Sequence, residues 1–354
     1  MKKYVIDIKQ GEYFNAGFKA KVDVDEILKK EGFDIKFLNI DCVSTMTDRV
    51  KNINSCFKQL KNVLRELDNN SVLLFQYPID LISYKFARLI RNVAKKKNIK
   101  TICLIHDINA LHNINKLADL YYKKMKREIK FFDAFDYLIS HNESMTSYLC
   151  SNGIDKNKIV NLGIFDYIIK DVPKINFSKI NKITIAGNLS KWKSGYIYLL
   201  KELKNKYYSF ELFGSEFSDK KTKFVNYNGS FKSDEIPMHI NFGFGLIWDG
   251  QSVDKISGSF GEYLKYNNPH KFSLCMATGI PVIVWKESAL SSFVKRNKVG
   301  YSVNSLYELE DIFKNMSKEK YEDLQKNVKK IQKKVIHGRY LIDSVNKILK
   351  MMEE

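Results

Sequence analysis

The chain has 354 residues, with 59 Lys and Arg against 40 Asp and Glu, a formal net charge of +19. At 44% hydrophobic it suits a globular protein with room for two α/β cores, and no stretch approaches the roughly 18–20 apolar residues that a bilayer-spanning helix needs. The five cysteines (Cys42, Cys56, Cys103, Cys150, Cys275) are odd in number and contain no CxxC pair, which excludes a disulfide framework and suits reduced thiols in a cytoplasmic protein.

In chain order, the opening Met-Lys-Lys-Tyr-Val-Ile-Asp-Ile is interrupted by Asp7 and Lys9, too short an apolar run for a signal peptide, and predicts a strand near 3–8. Asn15-Ala16-Gly17-Phe18-Lys19-Ala20-Lys21 turns that strand into a helix near 18–31. Gly17 leaves space there, Phe18 sits beside it, and Lys19 suits an anionic substrate. Asp23-Val24-Asp25 falls within that helix and reads as surface charge rather than a metal motif. Further strands are predicted near 34–40, 71–76, 100–105 and 136–140, with helices near 46–68, 81–97, 115–130 and 142–152. From Lys85 to Lys100, seven Lys and Arg occur without one acid while Phe86, Leu89, Ile90 and Val93 recur at helical spacing. That is an ordinary surface helix or one that lies on an anionic membrane face. Strand 100–105 ends on His106-Asp107, a pair suited to general-base work on a substrate hydroxyl and equally to structural hydrogen bonding.

The polar segment 166–181, with Pro173, reads as a linker between domains at 1–168 and 169–334. Beyond it, strands near 182–187, 208–213, 243–248, 281–285 and 299–303 alternate with helices near 233–240, 269–278, 288–297 and 305–315, and a helical region closes the chain at 317–350. Alternation throughout implies two Rossmann-like parallel sheets, whose carboxyl strand ends face a cleft. Three turns carry candidate ligand contacts. Gly187-Asn188 ends the first strand of this half and lets a ligand approach the backbone. Tyr227-Asn-Gly-Ser230-Phe231 offers groups to a base edge. Trp248-Asp249 ends an apolar strand, with Glu262 in the glycine-bearing loop that follows. Asn268 is a good N-cap with Pro269 at the first helical position, so the free N–H groups there, joined by His270 and Lys271, form a phosphate site or simply a well-capped helix.

The chain holds no GxGxxG with a downstream acid, no GxxxxGK[ST], no GxSxG elbow and no Cys/His cluster at metal spacing. Its lysines form no single stripe interleaved with aromatics, so nucleic acid is not expected as a partner. An ordered set of segments instead carries a resemblance: Ala16-Gly-Phe-Lys-Ala20, Leu104-Ile-His-Asp-Ile108, Ile139-Ser-His-Asn142, Ile164-Phe-Asp-Tyr167, Ala186-Gly-Asn-Leu-Ser190 and Phe244-Gly-Leu-Ile-Trp-Asp-Gly250. It continues through Ser257-Gly-Ser-Phe-Gly-Glu-Tyr-Leu-Lys-Tyr-Asn-Asn-Pro-His-Lys271 and Gly300-Tyr-Ser-Val303. Together these resemble the bacterial β-1,6-galactofuranosyltransferases of O-antigen and capsule assembly. More distantly they resemble the glucosyltransferases that extend GlcNAc on streptococcal serine-rich adhesins.

The resemblance implies a GT-B enzyme with no metal or other cofactor. Its C-terminal half would bind a UDP-sugar through Lys271, with Asn188 and its neighbours opposite, and its last helix, 335–354, would return to the N-terminal acceptor domain. The family motifs do not fix which sugar is carried; the leading expectation is inverting transfer of galactofuranose from UDP-galactofuranose to a hexose hydroxyl on a lipid-linked precursor, commonly a polyprenyl diphosphate. Asp107, with His106, would take the proton, and Gly17, Phe18 and Lys19 would line the acceptor side. A lipid-linked acceptor would bring the basic surface to the inner face of the membrane. Homo-oligomerisation is left open. A UDP-glucose enzyme acting on a GlcNAc-modified protein, an inactive sugar-binding subunit and, more remotely, a nucleic-acid-binding protein are the alternatives.

Overall fold

The computed structural model describes residues 1–10, 16–40, 45–78, 84–113, 118–203, 206–219 and 223–354, so the expectations that fall on Asn15 and Cys42 lie outside the described residues. Two compact units are present: Met1–Gly163 together with Tyr340–Glu354, and Ile164–Arg339. Segment 166–181 therefore belongs to the second unit, where the Tyr167 amide donates to the Val335 carbonyl at 3.2 Å.

The first unit is built on β1 (Lys3–Gln10), β2 (Phe33–Ile40), β3 (Val72–Tyr77), β4 (Lys100–Ile105), β5 (Tyr137–Ser140) and β6 (Ile159–Asn161), all parallel in the order β2-β1-β3-β4-β5-β6. Its helices are α1 (Ala16–Lys30), α2 (Met46–Glu66), α3 (Tyr84–Lys97), α4 (Ala118–Asp133) and α5 (Glu143–Ser151). All six residues of β3 are buried, as expected of a near-continuous apolar run in a sheet covered on both faces. Turns fix the helix starts: Thr45 and Asp48 form a capping box on α2, and the Asn142 side chain accepts from the Met145 amide at the start of α5.

The second unit contains β7 (Lys182–Asn188), α6 (Lys191–Ser194), β8 (Ser209–Ser215), β9 (Val225–Tyr227), β10 (Phe244–Ile247), α7 (Gly258–Tyr263), α8 (His270–Thr278), β11 (Val282–Trp285), α9 (Ser291–Asn297), β12 (Gly300–Val303), α10 (Leu309–Lys314) and α11 (Lys318–Val335). Its six parallel strands run β12-β11-β10-β7-β8-β9. Gly245 in β10 matters for placement, because a Cβ there would lie 2.1 Å from the Cys275 sulfur, and its absence lets α8 settle onto the strand. The closing helical region is two helices, α11 and α12 (Arg339–Met351), separated at Gly338 with φ +70°. Residues Tyr340–Glu354 join the first unit, where the Tyr137 hydroxyl donates to the Met351 carbonyl at 3.2 Å.

The expected helix at 233–240 is only a 3-10 turn, Ile236–Met238, because Pro237 has no N–H to continue an α-helical ladder. The reading of Asp23-Val24-Asp25 as surface charge is also corrected. Asp23 is buried against Lys19 at 2.7 Å, and Asp25 faces inward, accepting from Gln76 Nε2 at 2.7 Å. Asp25 also shares a hydrogen bond with Asp7, beside Lys21 Nζ, which lies 3.8 Å from Asp7. Facing the sheet is what decides this: α1 turns this flank toward the buried ends of β1 and β3.

Two carboxyls joined by a hydrogen bond must hold a proton, and burial with the Asp7 charge pushes Asp25 up to about 8 from 3.8. An unfolded-chain Asp loses its proton near 4, so between about pH 4 and 8 the folded state binds the extra proton, and stability falls as pH rises through that window. Asp25→Asn is expected to flatten this decline in melting temperature. A slope equal to wild type would place the titration on other groups.

Candidate functional site

In each sheet the winding direction reverses once, and ligands of open α/β sheets bind beyond the carboxyl strand ends at that reversal. In the second unit the reversal lies between β7 and β10. Gly187 and Asn188 end one of these strands, while Trp248 and Asp249 follow the other. Three main-chain or amide contacts join the two loops: the Gly250 amide to the Lys193 carbonyl at 3.3 Å, the Tyr196 amide to the Gly250 carbonyl at 3.1 Å, and Gln251 Nε2 to the Trp192 carbonyl at 3.0 Å. Gly250, at φ +105°, cannot be replaced without strain, since a Cβ would meet the Ser257 carbonyl oxygen at 2.1 Å.

Helix α8 delivers its tip to this place. Lys271 Nζ donates to the Trp248 carbonyl at 2.7 Å and lies 3.0 Å from Asp249 Oδ1. Burial lowers the Lys271 pKa, Asp249 opposes the shift, and the nearby Lys193 ammonium adds to it. Two ammonium groups and one carboxylate thus share a poorly solvated corner. The corner keeps a net positive charge. His270 turns the other way: its ring stacks on Tyr167 (centroids 4.8 Å, 27°), and Nε2 donates to the Asp166 carbonyl at 3.3 Å. At this tip the Phe272 amide donates to the Pro269 carbonyl at 2.9 Å, and the positive end of the helix dipole favours an anion.

Other expected donor contacts are placed differently. Pro269, at ψ 138°, is the N-cap of α8 and His270 its first residue; Asn268 precedes the cap and is buried, so it does not cap the helix as expected. Trp248 is fully buried with its indole N–H on the Ser252 carbonyl at 3.0 Å, so its ring cannot meet a sugar; its carbonyl instead holds Lys271. Asn188 is engaged by its own turn, donating to Glu216 at 2.9 Å and accepting from the Ser190 amide at 2.9 Å. It holds the loop's shape. Glu262 pairs with Lys265 at 2.7 Å. Ser230 is exposed, and Phe231 stacks on His239 with centroids 3.8 Å apart, leaving Phe231 half-buried.

In the first unit the reversal lies between β1 and β3, and β4 adjoins β3. His106 and Asp107, adjacent in sequence, have different partners. His106 Nε2 donates to Gln76 Oε1 at 2.8 Å; the Gln76 amide is oriented by its other end, which donates to Asp25. Asp107 accepts from the Ile108 amide at 2.9 Å and lies 3.1 Å from His112 Nε2. His112 is the residue that sequence reasoning missed here: no local motif marks it, and only the 3-10 turn Leu111–Asn113 brings it back to Asp107. The same loop is clamped from below by Glu128, buried, which accepts from the Tyr77 hydroxyl and from the Asn109 and Ala110 amides at 2.6, 2.9 and 2.7 Å. Gly17 lies near the start of α1, Phe18 is half-buried beside it, and Lys19 is buried on Asp23 and so is not presented to an anionic acceptor as expected.

The fold is similar, over 100% of both chains, to an α-glucosyltransferase solved in complex with UDP (TM-score 0.57, 12% identity). Two doubly wound parallel sheets of this kind define the chain's class, the GT-B fold. At the level of sequence the chain is 33% identical over 340 residues to the β-1,6-galactofuranosyltransferase WbbI of Escherichia coli K12, covering 95% of this chain and 94% of that one. It is 25% identical to glucosyltransferase 3 of Streptococcus gordonii, covering 93% and 94%. Residues 2–164 match the N-terminal domain and residues 183–348 the C-terminal domain of the glucosyltransferase 3-like family. The chain belongs to that family and is a glycosyltransferase.

Proposed function

We propose that the protein transfers galactofuranose from UDP-galactofuranose to a hexose hydroxyl of a lipid-linked surface-polysaccharide precursor, with inversion and without a metal. The observation that carries the donor side is the α8 tip: Lys271, almost buried, sits beside Asp249 and Lys193 at the winding reversal of the second sheet. Displacement at the anomeric carbon breaks its bond to the diphosphate as the acceptor oxygen bonds to it. The charge that grows on UDP then falls on Lys271, Lys193 and the positive end of the α8 dipole. The proton of the acceptor hydroxyl goes to the Asp107–His112 pair, held in place by the Glu128 clamp. The similarity to WbbI favours the galactofuranosyl donor. A glucosyl donor and a GlcNAc-modified protein acceptor form the second reading, favoured by the match to both glucosyltransferase 3-like domains.

Among the described residues no helix is long and apolar enough to cross a membrane. Helix α3 buries Phe86, Ala87, Ile90 and Ala94 in the core and exposes Lys85, Arg88, Arg91, Lys95 and Lys96. Its approach to a lipid-linked acceptor would rest on charge rather than on inserted side chains. Thermal-shift screening against UDP, UDP-galactofuranose and UDP-glucose, with product analysis in EDTA, tests the proposal. Stabilisation by UDP and galactofuranose transfer in EDTA are expected. Glucose transfer alone would favour the second reading, and reproducible loss of activity in EDTA would refute metal independence.

A further inference from the structure

Beside the Lys271 corner lies an aromatic surface that the reading above does not use. Trp192, in the short helix α6, is 62% exposed, the most exposed of the large aromatic side chains among the described residues. Its ring meets Phe260 of α7 edge-on, with centroids 5.3 Å apart at 65°, and Lys193 Nζ stands 5.6 Å from the centre of the Phe260 ring. The main chain beneath is fastened, since the Trp192 carbonyl accepts from Gln251 and the Lys193 carbonyl from Gly250. An indole left in water on a fastened segment is a preformed contact surface, which loses little freedom when something settles on it.

The helix tip also gives the site a direction. Its two first side chains diverge. His270 stacks on Tyr167, whose hydroxyl donates to the Ser233 carbonyl at 2.6 Å, close in sequence to the stacked Phe231–His239 pair. Lys271 turns instead to Asp249, with Lys193 and the Trp192–Phe260 pair beyond it. A nucleotide-sugar diphosphate has two covalent neighbours, a flat base with its ribose on one side and a hexose on the other. With the diphosphate on the tip and the base toward Phe231, the hexose lies toward Trp192.

The geometry points to Trp192 and Phe260 as the platform on which the transferred sugar ring of the donor lies, its C–H face on the indole and its hydroxyl rim toward Lys193. This rests on the diphosphate reading of Lys271. A ring face stacked there removes apolar surface from water on both partners and leaves the hydroxyls their polar contacts.

Calorimetric titration of the wild type, Trp192→Ala, Trp192→Phe and Lys271→Ala with UDP, UDP-glucose and UDP-galactofuranose tests it, with thermal unfolding as the fold control. Trp192→Ala is expected to weaken at least one UDP-sugar about tenfold while changing the Kd for UDP less than about twofold, and Trp192→Phe to recover most of the loss. Because Trp248 and Trp285 are buried, that UDP-sugar, and not UDP, should also change the Trp192 fluorescence. Equal weakening of UDP and the UDP-sugars overturns the platform, as does an unchanged Kd for all three. Unaltered UDP binding by Lys271→Ala, or no UDP binding by the wild type, sinks the underlying diphosphate reading and takes the platform with it.

Discussion

Lys271→Ala is expected to lower kcat/KM by about a hundredfold to a thousandfold and to weaken UDP binding, while the protein remains folded. The ammonium lies at the reversal of the second sheet, and its contacts to the Trp248 carbonyl and Asp249 hold it ready at the helix tip. Removing it does two separate things. The developing charge on the leaving group loses its counterion, and Asp249, itself 8% exposed, is left as a buried anion facing the incoming diphosphate. The double variant Lys271→Ala/Asp249→Ala removes that second effect. If the cation is what matters, the double variant recovers stability but not turnover. Near-normal turnover of Lys271→Ala in a steady-state assay would remove α8 from the mechanism.

Replacing His112 by glutamine, or Asp107 by asparagine, is expected to cost about a hundredfold to ten-thousandfold in kcat with little change in the Kd for UDP. The two groups are 3.1 Å apart and act on one proton, so the double variant should be no worse than the poorer single one. By contrast, His106 donates to Gln76, and His106→Gln is expected to act mainly on stability. Full activity in His112→Gln would leave Asp107 alone with the proton, and additive losses in the double variant would mean that the two act separately.

Much of the architecture was legible from the chain. Runs such as Val72–Tyr77 and Val282–Trp285 are too apolar to be anything but strands covered on both faces, and their alternation with helices announces parallel sheets. Short elements escaped. The three residues of β6 are too few to show a period, and α7, rich in glycine and serine, reads as a loop. The tip of α8 was visible because a proline followed by His-Lys carries its own conformational signal; the cap itself fell one residue later than expected.

Side-chain partnerships were not legible, and the reason is distance along the chain. Gln76 reaches Asp25 across 51 residues and His106 across 30, so neither contact leaves a local pattern. Burial on α1, together with the Asp7 charge on β1, pushes Asp25 up to about 8, and Trp192 is a candidate ligand surface only because Gln251 pins its main chain. From sequence come the strands, the turns and the charge-bearing helix tip, since those depend on backbone preference and hydrophobic period. Which carboxylate is buried, which histidine meets Asp107 and which tryptophan stays in water are decided by packing, because burial and proximity set solvation and charge.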